Sequence, residues 1–289
     1  MNQPIHFLTK LLNKLSINWY QKEKQRNKSL EQRNLIFLKK EKISTCFICS
    51  YPRSGNTWLR YLLADCLLQQ RNYTTNTHLR IHPDKAIPDI QVHELSKIYK
   101  AYPFKPFYVK SHMDPLTLGL QENKNWKAIY IYRNPIDSLT SYFYFHTRYP
   151  ELKPKINKGI NSFVLDELPN WINHIRNATN NNFQKTKCYL IQYEDLHANS
   201  EKALKHICDW LNLPLSIRDV SNAAEKSKFE KLRAREVSFE KDTTRVLFFR
   251  RGLVGEGKKE LKKETISVIK RQTTSLLKNA AAKKNESGQ

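Results

Sequence analysis

The sequence predicts an α/β fold in three layers, a central parallel sheet flanked by helices. Three observations predict it. Four short apolar runs read as buried strands. Stretches of helical character separate them, which is the rhythm of βα units around a parallel sheet. The polar residues with chemical potential follow strand ends: Arg53–Thr57, Lys110–His112, Arg133 and Tyr193–Glu194. Parallel sheets bind ligands beyond those carboxyl ends.

In chain order, residues 1–44 carry ten Lys/Arg against three Glu. Ile5, Leu8, Leu11, Leu12 and Leu15 recur at helical spacing, so a short helix packed on the domain is expected. A membrane-surface helix is the weaker alternative, because the apolar face is brief. Lys10 and Lys14 interrupt the apolar positions, against a signal peptide. "TCFICS" (45–50) is the first strand, and "NTWLRYLLADCLLQQ" (56–70) the helix after it. "PFYVKSH" (106–112) and "WKAIYIYR" (126–133) are the next strands. "PIDSLTSYFYFHTR" (135–148) opens with a proline, which a first helical turn accepts. "KCYLIQYE" (187–194) is the fourth strand, and "SEKALKHICDWLNLP" (200–214) a helix stopped by its proline. The tail 276–289 is polar and expected to fray.

The chain has 289 residues, 39% hydrophobic, enough for one large domain with a real core. The formal net charge is +23, which favours anionic partners: nucleic acid, membrane surfaces, acidic sugars or nucleotides. No apolar stretch is long enough to cross a bilayer. Five cysteines, mostly in apolar runs, read as reduced core thiols of a cytoplasmic protein. Cys46 and Cys49 face opposite sides of a strand, against a redox or metal pair. His78 and His82 are four apart, but Pro83 breaks the helix that a shared metal would need, so no metal site is expected.

"YPRSGNTW" (51–58) is the most informative stretch. Gly55 permits a sharp turn and close ligand approach. The following helix aims free N–H groups and its positive end at the loop. Ser54, Asn56 and Thr57 add donors, and Arg53 adds charge. Together they suit a phosphate or sulfate; the competing reading is an ordinary capped strand–turn–helix. The pattern G-x-x-x-x-G-K-[ST] is absent, and no strand-end Asp suggests a magnesium anchor. A loop with its cation before the glycine, and no evident metal ligand, suits an anion transferred without a metal.

"YPRSGNTW" resembles the 5′-phosphosulfate loop of the sulfotransferase family, Y-P-K-S-G-T-T-W. "AIYIYRNPIDSLTSYFYF" resembles its 3′-phosphate segment, a strand-end Arg with a Ser eight residues later, met by Arg133 and Ser141. "YVKSHMDP" resembles V-K-T-H-L-P, which carries the family's catalytic histidine. "FFRRGLVGEGKK" resembles R-K-G-x-x-G-D-W-K-N. All four lie in the family's order between about residues 45 and 260.

The resemblance implies a P-loop-like sulfotransferase domain over 45–275. It also implies transfer of a sulfuryl group from 3′-phosphoadenosine-5′-phosphosulfate (PAPS) to a hydroxyl or amine by in-line displacement. His112 would be the general base; an unperturbed imidazole titrates near about 6.5. Arg53 would stabilise charge on the leaving phosphate, assisted by Lys110. Ser141 would contact the 3′-phosphate and restrain Arg53. The loop from Ser54 to Thr57 would bind the 5′-phosphate. Arg133, Arg250, Arg251 and the backbone at Gly252 would bind the 3′-phosphate. Trp58 and Phe229 would sandwich adenine, with Tyr193 and Ser227 at its polar edge. Taken singly, His112 would be a structural histidine, Arg133 a partner for Asp137, Trp58 core, and Arg250 and Arg251 solvated charge.

Three departures stand out. Arg53 replaces a lysine, so leaving-group help would be electrostatic. Asn56 replaces a threonine. Gly257 and Lys259 replace Trp and Asn, an exchange expected to loosen the last loop. The acceptor would be a small molecule or carbohydrate, and Tyr144, Phe145, His146 and Tyr149 are candidates to line its site. Two other classes remain at this stage. A P-loop kinase or NTPase would require ATP and magnesium. A non-catalytic polyanion binder would lose affinity steeply with salt; no motif supports a specific nucleic-acid partner.

Overall fold

The computed structural model describes residues 3–70, 83–148, 152, 156–179, 187–239, 249 and 251–287. Helix α1 (Gln3–Lys40) leads into β1 (Thr45–Cys49) and α2 (Asn56–Gln69). After α3 (Leu95–Tyr99) come β2 (Phe107–Ser111), β3 (Trp126–Tyr132), α4 (Pro135–Thr147) and α5 (Ile160–Ala178). β4 (Cys188–Gln192) is followed by α6 (Tyr193–Ala198), α7 (Ser200–Trp210), α8 (Ile217–Lys226) and α9 (Phe229–Phe239). α10 (Gly257–Glu260) and α11 (Lys263–Ser287) close the described chain.

The four strands form one parallel sheet in the order β2-β1-β3-β4. Both faces are covered, which is why the strands read as unbroken apolar runs. Phe47, Cys49, Val109, Tyr130 and Leu190 face one core with Trp171 and Ile175 of α5 and Ile269 of α11. Cys46, Ile48, Tyr108, Ile129 and Ile191 face the other, with Leu59, Leu62 and Leu63 of α2 and Ile207 of α7. Full burial of each such leucine contributes about 1.5–3 kcal/mol. All five cysteines are buried free thiols, with Cys46 and Cys49 in opposite cores.

From β1 the chain crosses to β2 on one side; from β3 it crosses to β4 on the other. A crevice opens where those connections diverge, beyond the β1 and β3 ends. β1 ends at Cys49, level with Tyr130, while β3 runs two residues further to Tyr132. The loops after these strands therefore face each other.

Three expectations need correction. α1 is a 38-residue helix, not a short one. No Gly or Pro occurs between Pro4 and Pro52 to stop it. The fourth strand ends at Gln192, and Tyr193 and Glu194 open α6. Glu194 and Asp195 suit the positive end of that helix. The C-terminal tail continues α11 to Ser287, because residues 263–287 contain no helix breaker and include three consecutive alanines.

Candidate active site

The loop after β1 turns through two left-handed residues, Arg53 at φ 64° and Gly55 at φ 103°. A non-glycine residue rarely takes that conformation outside sites where it serves a function. At Gly55 only glycine fits, since an added Cβ would lie 2.5 Å from Tyr193 Cδ2. Gly55 caps α2 without a side-chain hydrogen bond, so the first N–H groups of α2 lack intrahelical partners. The buried Ser54 hydroxyl has no hydrogen-bond partner among the described residues. Asn56 does not offer its amide to a ligand: Nδ2 donates to the Ile48 carbonyl at 3.0 Å and ties the loop to β1. Arg53 Nε donates to Ser141 Oγ at 3.2 Å, and its guanidinium lies 5.4 Å from the Phe145 ring centroid.

Across the crevice, Arg133 leaves the end of β3. Asn134 caps α4 by accepting from Ile136 N at 3.0 Å, with Pro135 next. The Arg133 guanidinium lies 4.2 Å from the Tyr193 ring centroid, and Nη2 donates to the Leu253 carbonyl at 2.8 Å. Its Nε is buried and lacks a partner among the described residues. Asp137, one turn on, is 4.0 Å from Arg133 and accepts from Gly255 N (2.7 Å) and Gly257 N (2.8 Å). The 251–257 segment is thereby strapped to α4. Gly257 does not loosen it. A Cβ there would lie 2.5 Å from the Ile136 carbonyl, so glycine is what allows the close approach. Arg251 sits on this strap, paired with Glu256 at 2.7 Å and Glu260 at 3.5 Å. Arg250 and Tyr149 lie outside the described residues, as do His78 and His82.

His112 follows β2. Its Nδ1 is 3.1 Å from the Ser50 carbonyl, which can only accept, so Nδ1 carries the proton and Nε2 keeps its lone pair. Burial and the Lys110 ammonium push the imidazole pKa down to about 3, against the opposing pull of Asp89 and the Ser50 carbonyl. His174 holds the backbone beneath: Nε2–H donates to the His112 carbonyl at 3.0 Å, and Nδ1 accepts from Tyr130 Oη at 2.7 Å. Lys110 is buried and donates to Asp89 Oδ2 at 2.5 Å. Burial depresses the lysine; Asp89, itself under a desolvation penalty, is held below its usual range by that cation.

Trp58 and Phe229 lie 6.3 Å apart with planes at 85°, an edge contact instead of two parallel faces around a gap. Trp58 Nε1 donates to the Ser227 carbonyl at 2.8 Å. The Ser227 hydroxyl donates to Asp65 at 2.9 Å and is turned to the core, not to a ligand. Tyr193 Oη donates to the Gly252 carbonyl at 2.9 Å, and the Phe229 ring packs on the Gly252 Cα.

One cavity of about 770 Å³ joins these parts. Arg53, Gly55 to Trp58, Lys110, His112, Arg133, Ser141, Tyr193, Phe229, Arg251 and Gly252 all line it. Ser54 and Ser227 are not among its lining residues. Of the aromatic candidates on α4, Phe145 lines the cavity with Tyr142. Tyr144 donates to Glu260, and His146 is buried. Residues the motifs did not indicate also line it: Asn27, Arg60, Asp84, Asp89, Gln91 and Val92. Asp137 does too; its spacing four after Arg133 was the available signal. His174 had none.

The arrangement fits a nucleotide carrying two separate anionic groups. It offers free helix N–H groups, the buried Arg133 Nε–H, which has no partner among the described residues, and two glycines where a Cβ would not fit. Comparison with known proteins agrees. The family described as "Sulfotransferase domain" matches residues 44–281. A cytosolic sulfotransferase of Arabidopsis thaliana is 25% identical, covering 77% of this chain and 75% of its own. A flavonol 3-sulfotransferase of Flaveria bidentis is 26% identical, covering 77% and 78%. Among solved structures, a mouse sulfotransferase complexed with PAP superposes with TM-score 0.62 at 18% identity, covering 88% of this chain and 92% of that one.

Proposed function

Because the chain belongs to the sulfotransferase domain family and is a PAPS-dependent sulfotransferase, we propose that His112 is its general base, in an in-line transfer to an acceptor hydroxyl. The observation that carries this reading is the fixed tautomer of His112 in the same cavity as the Arg53 loop. PAPS supplies the sulfuryl group and leaves as PAP. Nε2 of His112 takes the acceptor proton. Arg53 stabilises negative charge on the leaving phosphate electrostatically, since a guanidinium is a poor proton donor. The α2 N–H groups hold the 5′-phosphate, and Arg133 with the 251–253 strap holds the 3′-phosphate. Lys110, committed to Asp89, acts by keeping His112 neutral. Adenine binding requires Phe229 to turn from its edge contact with Trp58. Flavonol is named in one relative and retinol in a structural neighbour, which supports a small-molecule acceptor. Five buried free thiols support a cytoplasmic setting.

Incubation with radiolabelled PAPS and a mixed set of hydroxyl acceptors tests this. Label should pass to an acceptor with release of PAP; PAP release that is independent of every acceptor would contradict it.

Asp137→Ala removes the acceptor of two strap N–H groups and the neighbour of Arg133. Leaving such groups unpaired costs about 1–3 kcal/mol, so PAP affinity should fall by about tenfold or more on calorimetric titration. Unchanged affinity would show that the strap does not depend on Asp137.

The pH dependence has a definite sign. With a pKa pushed to about 3, His112 stays neutral from pH 8 to well below 6.5, so kcat/KM should show no His112 acid limb near the usual value. Lys110→Met removes the repelling cation and leaves Asp89 unopposed. Both changes raise the His112 pKa, so the acid limb moves up in pH. NMR titration of the imidazole reads the shift directly; an unmoved His112 resonance would contradict this role for Lys110.

A further inference from the structure

Past His112, toward the β2 edge of the sheet, the cavity wall among the described residues is mostly polar, with Asn27, Arg60, Asp84, Asp89 and Gln91 beside one apolar side chain, Val92. The segment before Gln91 bridges to the edge of β2: Lys110 N donates to the Pro88 carbonyl at 2.8 Å, and Ile90 N to the Lys110 carbonyl at 3.0 Å. That pairing sets Asp89 beside Lys110. Arg60 donates to Asp84 and to the Ile87 carbonyl, and its buried Nε–H has no partner among the described residues. The two carboxylates are thus each matched by a cation, Asp84 by Arg60 and Asp89 by Lys110.

Helix α1 completes this wall, although it lies outside the 44–281 family match. Asn34 Nδ2 donates to the carbonyls of Ile90 and His93, each at 2.8 Å, and Oδ1 accepts from Leu95 N at 3.0 Å. Gln91 Nε2 donates to Glu31 Oε1 at 3.2 Å. Asn27, Glu31 and Asn34 follow i, i+4, i+7 spacing and share one helix face. Anchored this way, α1 presents Asn27 to the cavity. Burial raises the Glu31 pKa above the usual carboxylate value.

We propose that the acceptor is an uncharged, hydroxyl-rich molecule of carbohydrate type, and that α1 helps select it through Asn27 and the Glu31–Gln91 pair. This rests on the sulfotransferase reading and names its substrate class. An apolar ring would strip water from this wall without replacing its hydrogen bonds, whereas sugar hydroxyls replace them. A polyanion would meet Asp84 and Asp89, whose cations are already matched. Tyr142 and Phe145, with near-parallel rings, offer an apolar surface for the C–H face of a sugar. In the reaction the sugar oxygen forms the new O–S bond as the S–O bond to the 5′-phosphate breaks. Its proton passes to His112 Nε2, and PAP departs with the electron pair of the broken bond.

The test gives the full-length protein labelled PAPS with three acceptor classes: neutral methyl glycosides and disaccharides, a naphthol, and a glucuronide. PAP binding is measured alongside. A neutral glycoside should be labelled with kcat/KM about a hundredfold or more above the naphthol and the glucuronide, as expected of a site built around hydroxyl partners. A better naphthol or glucuronide, or no labelled glycoside while PAP binds, overturns the acceptor class and leaves the sulfotransferase reading standing. Absence of PAP binding overturns both. The double variant Asn27→Leu, Gln91→Leu should raise the glycoside KM about tenfold or more without moving the PAP dissociation constant. An unmoved KM overturns the part assigned to α1.

Discussion

His112→Ala should lower kcat by about 10²–10⁴-fold, the usual worth of a positioned base, and leave PAP affinity within about twofold. The effect is large because the structure prepares one nitrogen for the task. The Ser50 carbonyl fixes the proton on Nδ1, and the low pKa keeps Nε2 unprotonated throughout the working range. The carbonyl of the same residue is held by His174, which Tyr130 orients in turn. Removing the imidazole deletes the proton acceptor and little of the nucleotide site, which lies around Arg53, Arg133 and Gly252. Rapid-quench measurement of label transfer, paired with calorimetry, separates the two effects. A variant with full kcat would mean that another group takes the proton; equal losses in kcat and PAP affinity would mean that His112 only shapes the pocket.

Arg53→Ala should lower kcat by about 10²–10³-fold, or about 2.7–4 kcal/mol, as for loss of one preorganised group facing developing charge. PAP affinity should fall far less. The left-handed conformation of Arg53 and its bond to Ser141 aim the guanidinium across the loop. Arg53→Lys separates charge from shape. Lysine keeps the charge but loses the fork and the surface over Phe145. Retained turnover would show that charge suffices; a loss close to that of alanine would show that the guanidinium geometry matters. Equal losses of turnover and PAP affinity in Arg53→Ala would make Arg53 a binding residue only.

The sheet was legible in the sequence because each strand is buried on both faces and so appears as an apolar run. The loop after β1 was legible because Gly55 and the helix after it follow from backbone needs that the order of residues displays. The length of α1 was harder to read: its polar face hides periodicity, although the lack of Gly and Pro was a usable sign. The acceptor wall was not legible. Gln91 meets Glu31 across 60 residues of chain, and Asn34 meets Ile90 across 56. No local pattern records such partners. The Ser227 side chain shows the converse limit. A motif put it at the polar edge of adenine; in the structure Asp65 takes its hydroxyl and Trp58 its carbonyl.

Whether this cavity is a PAPS site feeding one base is decided by calorimetric titration of the full-length chain with PAP in excess chelator, with ATP as competitor. Saturable one-to-one binding is predicted, retained in His112→Ala, weakened in Asp137→Ala and not displaced by equimolar ATP. Absence of PAP binding, or binding of ATP only when magnesium is restored, would contradict it.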